Sequence, residues 1–246
     1  MSRTFDENAL GNMALPLGVR QSLCHIGMAL FDEDATMKVL FSGPSGTGKS
    51  MALEILEGET GRDLYRIDLS KIISKYIGET ERNLAQILAR QSRVVLENVT
   101  PLLGKPEVRQ SLGMDIDTRE LESCHQQLLA FDGVMFILTH FRHDLEPALV
   151  GSMDRDIIFP IPSEEDRTRI WRQVLSEDDR IAEEVDLHML AHKLEISGGH
   201  IRNIAENARA LAGSDQDQAT LTLDHMRRAV MVELHRMGRM IDKNMF

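Results

Sequence analysis

Eight consecutive residues constrain this chain more than anything else in it: Gly43-Pro44-Ser45-Gly46-Thr47-Gly48-Lys49-Ser50. They satisfy the phosphate-loop (Walker A) pattern Gly-x-x-x-x-Gly-Lys-Ser. In that pattern backbone N–H groups turn inward around phosphate oxygens, and the following helix adds the positive end of its dipole. Glycine is needed at 43, 46 and 48, where the chain must come close to the phosphates, often with positive φ. Lys49 is placed to bridge the β- and γ-phosphates, and the Ser50 hydroxyl to ligate Mg²⁺. The flanks agree, with Lys38–Ser42 reading as a buried strand and Met51–Leu56 as the start of a helix. A strand–loop–helix unit of this kind sets the fold class as α/β, with the loop at the carboxyl edge of a parallel sheet.

The rest of the chain continues the alternation. Val19 to Phe31 carries apolar residues at 19, 23, 26, 27, 30 and 31, a helical spacing that leads into the first strand. Strands are predicted at 38–42, 64–69, 93–97 and 133–139, and helices at 48–58, 79–90 and near 117–130, with a last strand at Ile157-Ile158-Phe159. After Pro160-Ile161-Pro162 the pattern turns helical only. Ser163 reads as an N-cap with Asp166 at N3, followed by helices at about 186–195, 199–213 and 222–238. The expected organisation is an N-terminal segment and leading helix over 1–35, a three-layer nucleotide-binding core over 36–162 and a helical domain over 163–246.

Composition narrows the function classes. Of the 246 residues, 42% are hydrophobic, enough for a core and a smaller companion domain. The net charge of −11 argues against a nucleic-acid partner, which would need a basic stripe. No signal peptide opens the chain and no apolar run approaches the length of a membrane span, so a cytoplasmic protein without a membrane partner is expected. Cys24 and Cys124 match no metal or redox spacing and read as reduced thiols. His140 and His143 lack a third ligand at zinc spacing.

Further motifs carry a resemblance. After the loop come Tyr65-Arg66-Ile67-Asp68-Leu69-Ser70 and Ser74-Lys75-Tyr76-Ile77-Gly78-Glu79-Thr80-Glu81, then Leu103-Gly104-Lys105, Phe131-Asp132-Gly133 and Phe159-Pro160-Ile161-Pro162. Ser197-Gly198-Gly199-His200-Ile201-Arg202-Asn203 and Leu234-His235-Arg236-Met237-Gly238-Arg239 stand near the end. In order and spacing the chain resembles AAA+ ATPases over about 15–240, especially those encoded with contractile injection systems and phage-tail-like particles. The resemblance implies a P-loop NTPase core with a C-terminal four-helix lid, assembled as a hexameric ring, homomeric or mixed, that acts on a protein substrate or partner. ATP and Mg²⁺ would be held by Gly43, Pro44, Ser45, Gly46, Thr47, Gly48, Lys49, Ser50 and Met51, with Gly199 near the adenine. It also places Lys75, Tyr76, Ile77 and Gly78 at the pore loop that grips a threaded polypeptide.

The same resemblance exposes three departures. The family has four apolar residues and then Asp-Glu, an acid for the metal and a base for water. This chain has Val94-Val95-Leu96-Glu97-Asn98. Counting back from Leu103-Gly104-Lys105 puts Glu97 at the Mg²⁺ ligand and Asn98 at the base. Asn98 can orient water but cannot take its proton. Sliding the register by one makes Glu97 the base and leaves Leu96 facing the metal. The polar sensor Thr-Asn is here Thr139-His140. The arginines lent to a neighbouring subunit should fall at 151–152, where Gly151-Ser152 stand and Arg155 is the nearest alternative. An arginine finger supplies about 10³–10⁵ in rate. The expectation is therefore an ATP-binding ring subunit, remodelling or scaffolding, with weak or absent hydrolysis by Glu97, Asn98 and His140. The alternatives are an active protein remodeller and a non-enzymatic interaction module with structural nucleotide.

Overall fold

A computed structural model describes residues 5–74, 76, 78–113, 116–175, 179–214 and 220–239. The chain divides into two compact units. One takes the chain up to Asn12, Pro16–Pro44 and Lys49–Phe159; the other takes Met13–Leu15, Ser45–Gly48 and the chain from Pro160 onward.

In the first unit five parallel strands form one sheet in the order β2-β3-β4-β1-β5, comprising β1 (Met37–Ser42), β2 (Tyr65–Asp68), β3 (Arg93–Glu97), β4 (Val134–Thr139) and β5 (Arg155–Ile158). β4 is buried along its whole length, as expected of a central strand whose two faces are both covered. On one face Leu40, Val94, Leu96, Met135 and Ile137 pack with Leu84 of α4 (Glu79–Leu88), Leu102 and Leu103 of α5 (Thr100–Leu103), and Leu121, Cys124 and Leu128 of α7 (Thr118–Ala130). Off that cluster, the Phe41 ring lies 5.5 Å from Phe136 and 4.9 Å from Phe159. The helices α1 (Leu17–Leu30) and α2 (Lys49–Thr60) pack on each other, and α1 also touches β5.

Several element bounds differ from the sequence reading. β2 stops at Asp68, because its carboxylate accepts the Ser70 N–H at 3.1 Å and turns the chain into the single-turn α3 (Leu69–Ile72). The last strand is Arg155–Ile158, set by pairing with Val39–Ser42, and Phe159 lies beyond it. The sequence pattern does not anticipate α5 or α6 (Pro106–Ser111); α8 (Pro147–Gly151) fills the stretch before β5. Each is too short to show a helical period.

The second unit carries α9 (Glu164–Val174), α10 (Leu187–Lys193), α11 (Gly198–Ser214) and α12 (Leu223–Arg236), with a small parallel pair of β6 (Arg180–Ile181) and β7 (Thr220–Leu221). Ser163 caps α9 as expected, its side chain accepting from Asp166 N–H. Trp171, Leu190, Leu194, Ile201, Ile204, Met226 and Val230 form the core. Buried Glu233 is bonded by His200 Nδ1 at 2.7 Å and Asn203 Nδ2 at 2.9 Å. Burial works to raise its pKa, yet these bonds outweigh it and hold the carboxyl below its usual value.

Candidate nucleotide site

β1 delivers the chain to Gly43, whose φ of +143° an L residue rarely adopts and where a Cβ would overlap the Phe159 carbonyl. Lys49 opens α2 and is buried; its ammonium donates to the carbonyl oxygens of Gly43 and, at 2.9 Å, Pro44. Burial lowers its pKa from 10.5 to about 8. In the helical unit Gly46 has φ +74°, and a Cβ on it would meet Ser197 Oγ and Gly199 Cα. The Gly199 N–H donates to Gly46 O at 2.9 Å, so Gly199, expected at the adenine, lies directly on the loop. Thr47 is buried, Met51 half-buried and Ser50 exposed in the first turn of α2. The hydroxyls Ser42 Oγ and Ser197 Oγ are buried without a hydrogen-bond partner. In the first unit a glycine that admits no side chain, the desolvated Lys49 ammonium and the unpaired buried Ser42 hydroxyl fit a polyanion such as a triphosphate.

At the carboxyl edge of the sheet β3 ends on Glu97, whose register partner is Asp68 of β2. Glu97 Oε1 is taken by Arg66 NH1 at 3.4 Å, and Arg66 NH2 also reaches Glu57 of α2 at 3.1 Å. Leu96 is fully buried in the core, so the slid register would set an apolar group at the metal. Asn98 has φ +51°, and its Nδ2 donates to Asp68 Oδ1 at 3.0 Å. Asp68 is a polar group of this edge that sequence reasoning missed. The Ser70 hydroxyl first, and then the Asn98 amide, hold its carboxyl down at about 2. Its signal was there in part, as an acid closing a parallel strand, but the contact depends on strand register.

Thr139 ends β4 with its hydroxyl donating to Phe141 O at 3.3 Å. Exposed His140 has its imidazole pKa lowered, first by partial desolvation and then by the Lys49 charge. Arg155 is the first residue of β5, paired with Val39, and is exposed with its NH1 3.5 Å from the carbonyl of Asp154. Gly151 ends α8 with open space around its Cβ position, and Ser152 is bonded to Leu149 O at 2.7 Å.

Lys75 and Ile77 lie outside the described residues. Tyr76 is 73% exposed, and Gly78 caps α4 with φ +79°. The segment is tied at its base, where Ser74 Oγ–H donates to Glu79 Oε2 at 2.6 Å and the Thr80 N–H to buried Glu120 at 2.9 Å. Among the described residues no helix is long and apolar enough to cross a membrane.

Glycine cradle, buried lysine and five-stranded parallel sheet define a P-loop nucleotide-binding protein. The profile of the "ATPase family associated with various cellular activities (AAA)" matches residues 39–161, and the chain belongs to that family. It is 31% identical over 207 residues to the proteasome-activating nucleotidase of Methanopyrus kandleri, covering 78% of this chain and 46% of that protein. Against the 26S proteasome regulatory subunit 6B homolog of Dictyostelium discoideum it is 30% identical over 188 residues, covering 71% and 46%. Against the ATP-dependent zinc metalloprotease FtsH of Acidothermus cellulolyticus it is 29% identical over 204 residues, covering 78% and 30%. The chain thus spans less than half the length of each of these three relatives.

Membership implies nucleotide binding, ordinarily with Mg²⁺. The available donors suit that ion, which keeps most of its waters and takes one or two protein groups beside phosphate oxygens. If Lys49 meets the phosphates, binding should depend on pH. Its pKa of about 8 in the free chain lies below its ordinary value of 10.5, so the folded free chain holds fewer protons than the unfolded one between those values. The ligand-free protein should therefore gain stability as pH rises through that window, while ATP, which favours the ammonium, should lose affinity. Titration at pH 7 and pH 9 is expected to show affinity about tenfold weaker at the higher pH. A flat profile would mean that Lys49 does not meet the phosphates.

Proposed function

We propose that this chain binds ATP with Mg²⁺ and works in a ring as a nucleotide-gated protein remodelling or scaffold subunit whose own hydrolysis is weak or absent. The observation that carries the reading is a buried Lys49 on the Pro44 carbonyl of a phosphate-loop sequence, together with an amide at Asn98, which we take as the base position, committed to Asp68. Gly43 to Met51 and Gly199 hold the nucleotide, and Ser50 and Glu97 hold the metal. When bound, Mg²⁺ supplies charge neutralisation at the phosphates. His140 faces the γ-phosphate, and the Asn98 carbonyl oxygen accepts from a water without removing its proton. Glu97 must leave Arg66 to reach the metal, an exchange that a half-exposed ion pair permits at low cost.

We assign 36–162 to the nucleotide core and 163–246 to the lid. Exposed Tyr76, with Lys75, Ile77 and Gly78, grips the protein substrate, an aromatic giving large contact area on few rotatable bonds. The ring is a hexamer of this chain or of this chain with a catalytic paralogue, in the cytoplasm, and its setting is a contractile injection system. The names of its relatives, among them a nucleotidase and an ATP-dependent protease, support action on proteins. They also support a second reading, an active ATPase, in which Glu97 would serve as the acid.

Turnover separates the two. Purified chain with saturating Mg-ATP is expected to release phosphate below ~0.01 per second, against an enzyme median of ~10 per second. Turnover near the median, abolished by Lys49→Ala, would establish the active reading.

A further inference from the structure

The carboxamide at the end of β3 has a fixed orientation. Asp68 can only accept, so the group Asn98 turns toward it at 3.0 Å must be Nδ2, and the direction of the amide follows from chemistry. Asn98 alone among the described non-glycine residues has positive φ, at +51°, a region that Asn and Asp tolerate better than other side chains. The oxygen that takes the Asn98 amide carries further bonds. Oδ1 accepts the Ser70 N–H at 3.1 Å and the Ser70 hydroxyl at 2.6 Å, and Lys71 Nζ lies 3.4 Å from Oδ2. A carboxylate among so many donors stays ionised.

We infer that Asp68 is a positioning residue of the nucleotide site. By taking the Asn98 amide it fixes the Asn98 carbonyl oxygen as a pure acceptor at the sheet edge, and its charge excludes an acid from position 98. Acid and amide stand exchanged between two neighbouring strand ends, the acid on β2 and the amide on β3. This rests on the reading that Asn98 occupies the base position, and the test below separates the two.

Three proteins suffice: the wild type, Asn98→Asp and the exchange Asp68→Ser/Asn98→Asp, whose serine keeps an acceptor for the Ser70 N–H and offers a hydroxyl donor to position 98. Aspartate matches asparagine in shape and accepts the left-handed backbone, so the change removes the amide donor and adds a charge. In Asn98→Asp two carboxylates replace the ionic hydrogen bond. Without nucleotide, at pH 7, the thermal midpoint of Asn98→Asp should fall at least ~3 °C below wild type, and the exchange should close that gap by restoring a donor between the positions. No gap, or one the exchange leaves open, overturns the inference. If Asn98→Asp fails to fold at pH 7, the exchange must fold normally. In ATP turnover the exchange should exceed Asn98→Asp at least ~5-fold; a single variant as fast as the exchange overturns it too. Brisk turnover by the wild type would instead remove the weak-hydrolysis reading and leave the stability comparison in force.

Discussion

Lys49→Ala is expected to weaken ATP binding at least ~100-fold, measured by calorimetry or displacement of a fluorescent nucleotide. The ammonium sits buried, on the Gly43 and Pro44 carbonyls, where a charge-assisted bond to phosphate is worth about 1.5–3 kcal/mol and more than one phosphate oxygen is in reach. The fold should tolerate the change, because the substitution removes two hydrogen bonds and also the burial of a charge that already presses the pKa down to about 8. Far-ultraviolet dichroism and the melting midpoint of the free variant check that. A loss of affinity below ~10-fold, about 1.4 kcal/mol, would take Lys49 out of contact with the triphosphate.

The other large effect lies in the helical unit. Trp171→Ala should destabilise that unit by about 3–5 kcal/mol, the cost of emptying a fully buried aromatic site. Trp171→Phe should cost far less, under ~1.5 kcal/mol, because the indole Nε1 is buried without a partner and phenylalanine loses no hydrogen bond. Denaturation followed by circular dichroism decides, since Trp171 is the only tryptophan and its fluorescence vanishes with it. Equal losses in both variants would mean that the indole nitrogen contributes more than the ring.

Sequence periodicity carried the sheet and the main helices because burial on both faces writes continuous apolar runs, as at Val134–Leu138, and because caps such as Ser163 act locally. It misplaced the end of β2 because apolar Leu69 continues the run, whereas the Asp68 cap that stops the strand is a side-chain preference. It missed β6 and β7, two residues each and joined across 40 positions, for want of any local pattern. At the site, the loop was legible because its glycines and lysine serve a backbone shape. The Asp68–Asn98 and Arg66–Glu97 contacts were not, since each joins residues about 30 apart through strand register.

The two native thiols have a practical consequence. Cys24 and Cys124 are both buried thiols, and desolvation, with nearby Glu120 and Glu81, pushes the Cys124 thiol up to about 12. Alkylating reagents attack thiolate, so neither sulfur should compete for a maleimide dye under native conditions. A cysteine introduced at solvent-facing position 76 would then be labelled selectively in the otherwise unaltered chain, giving a spectroscopic handle on the surroundings of that position.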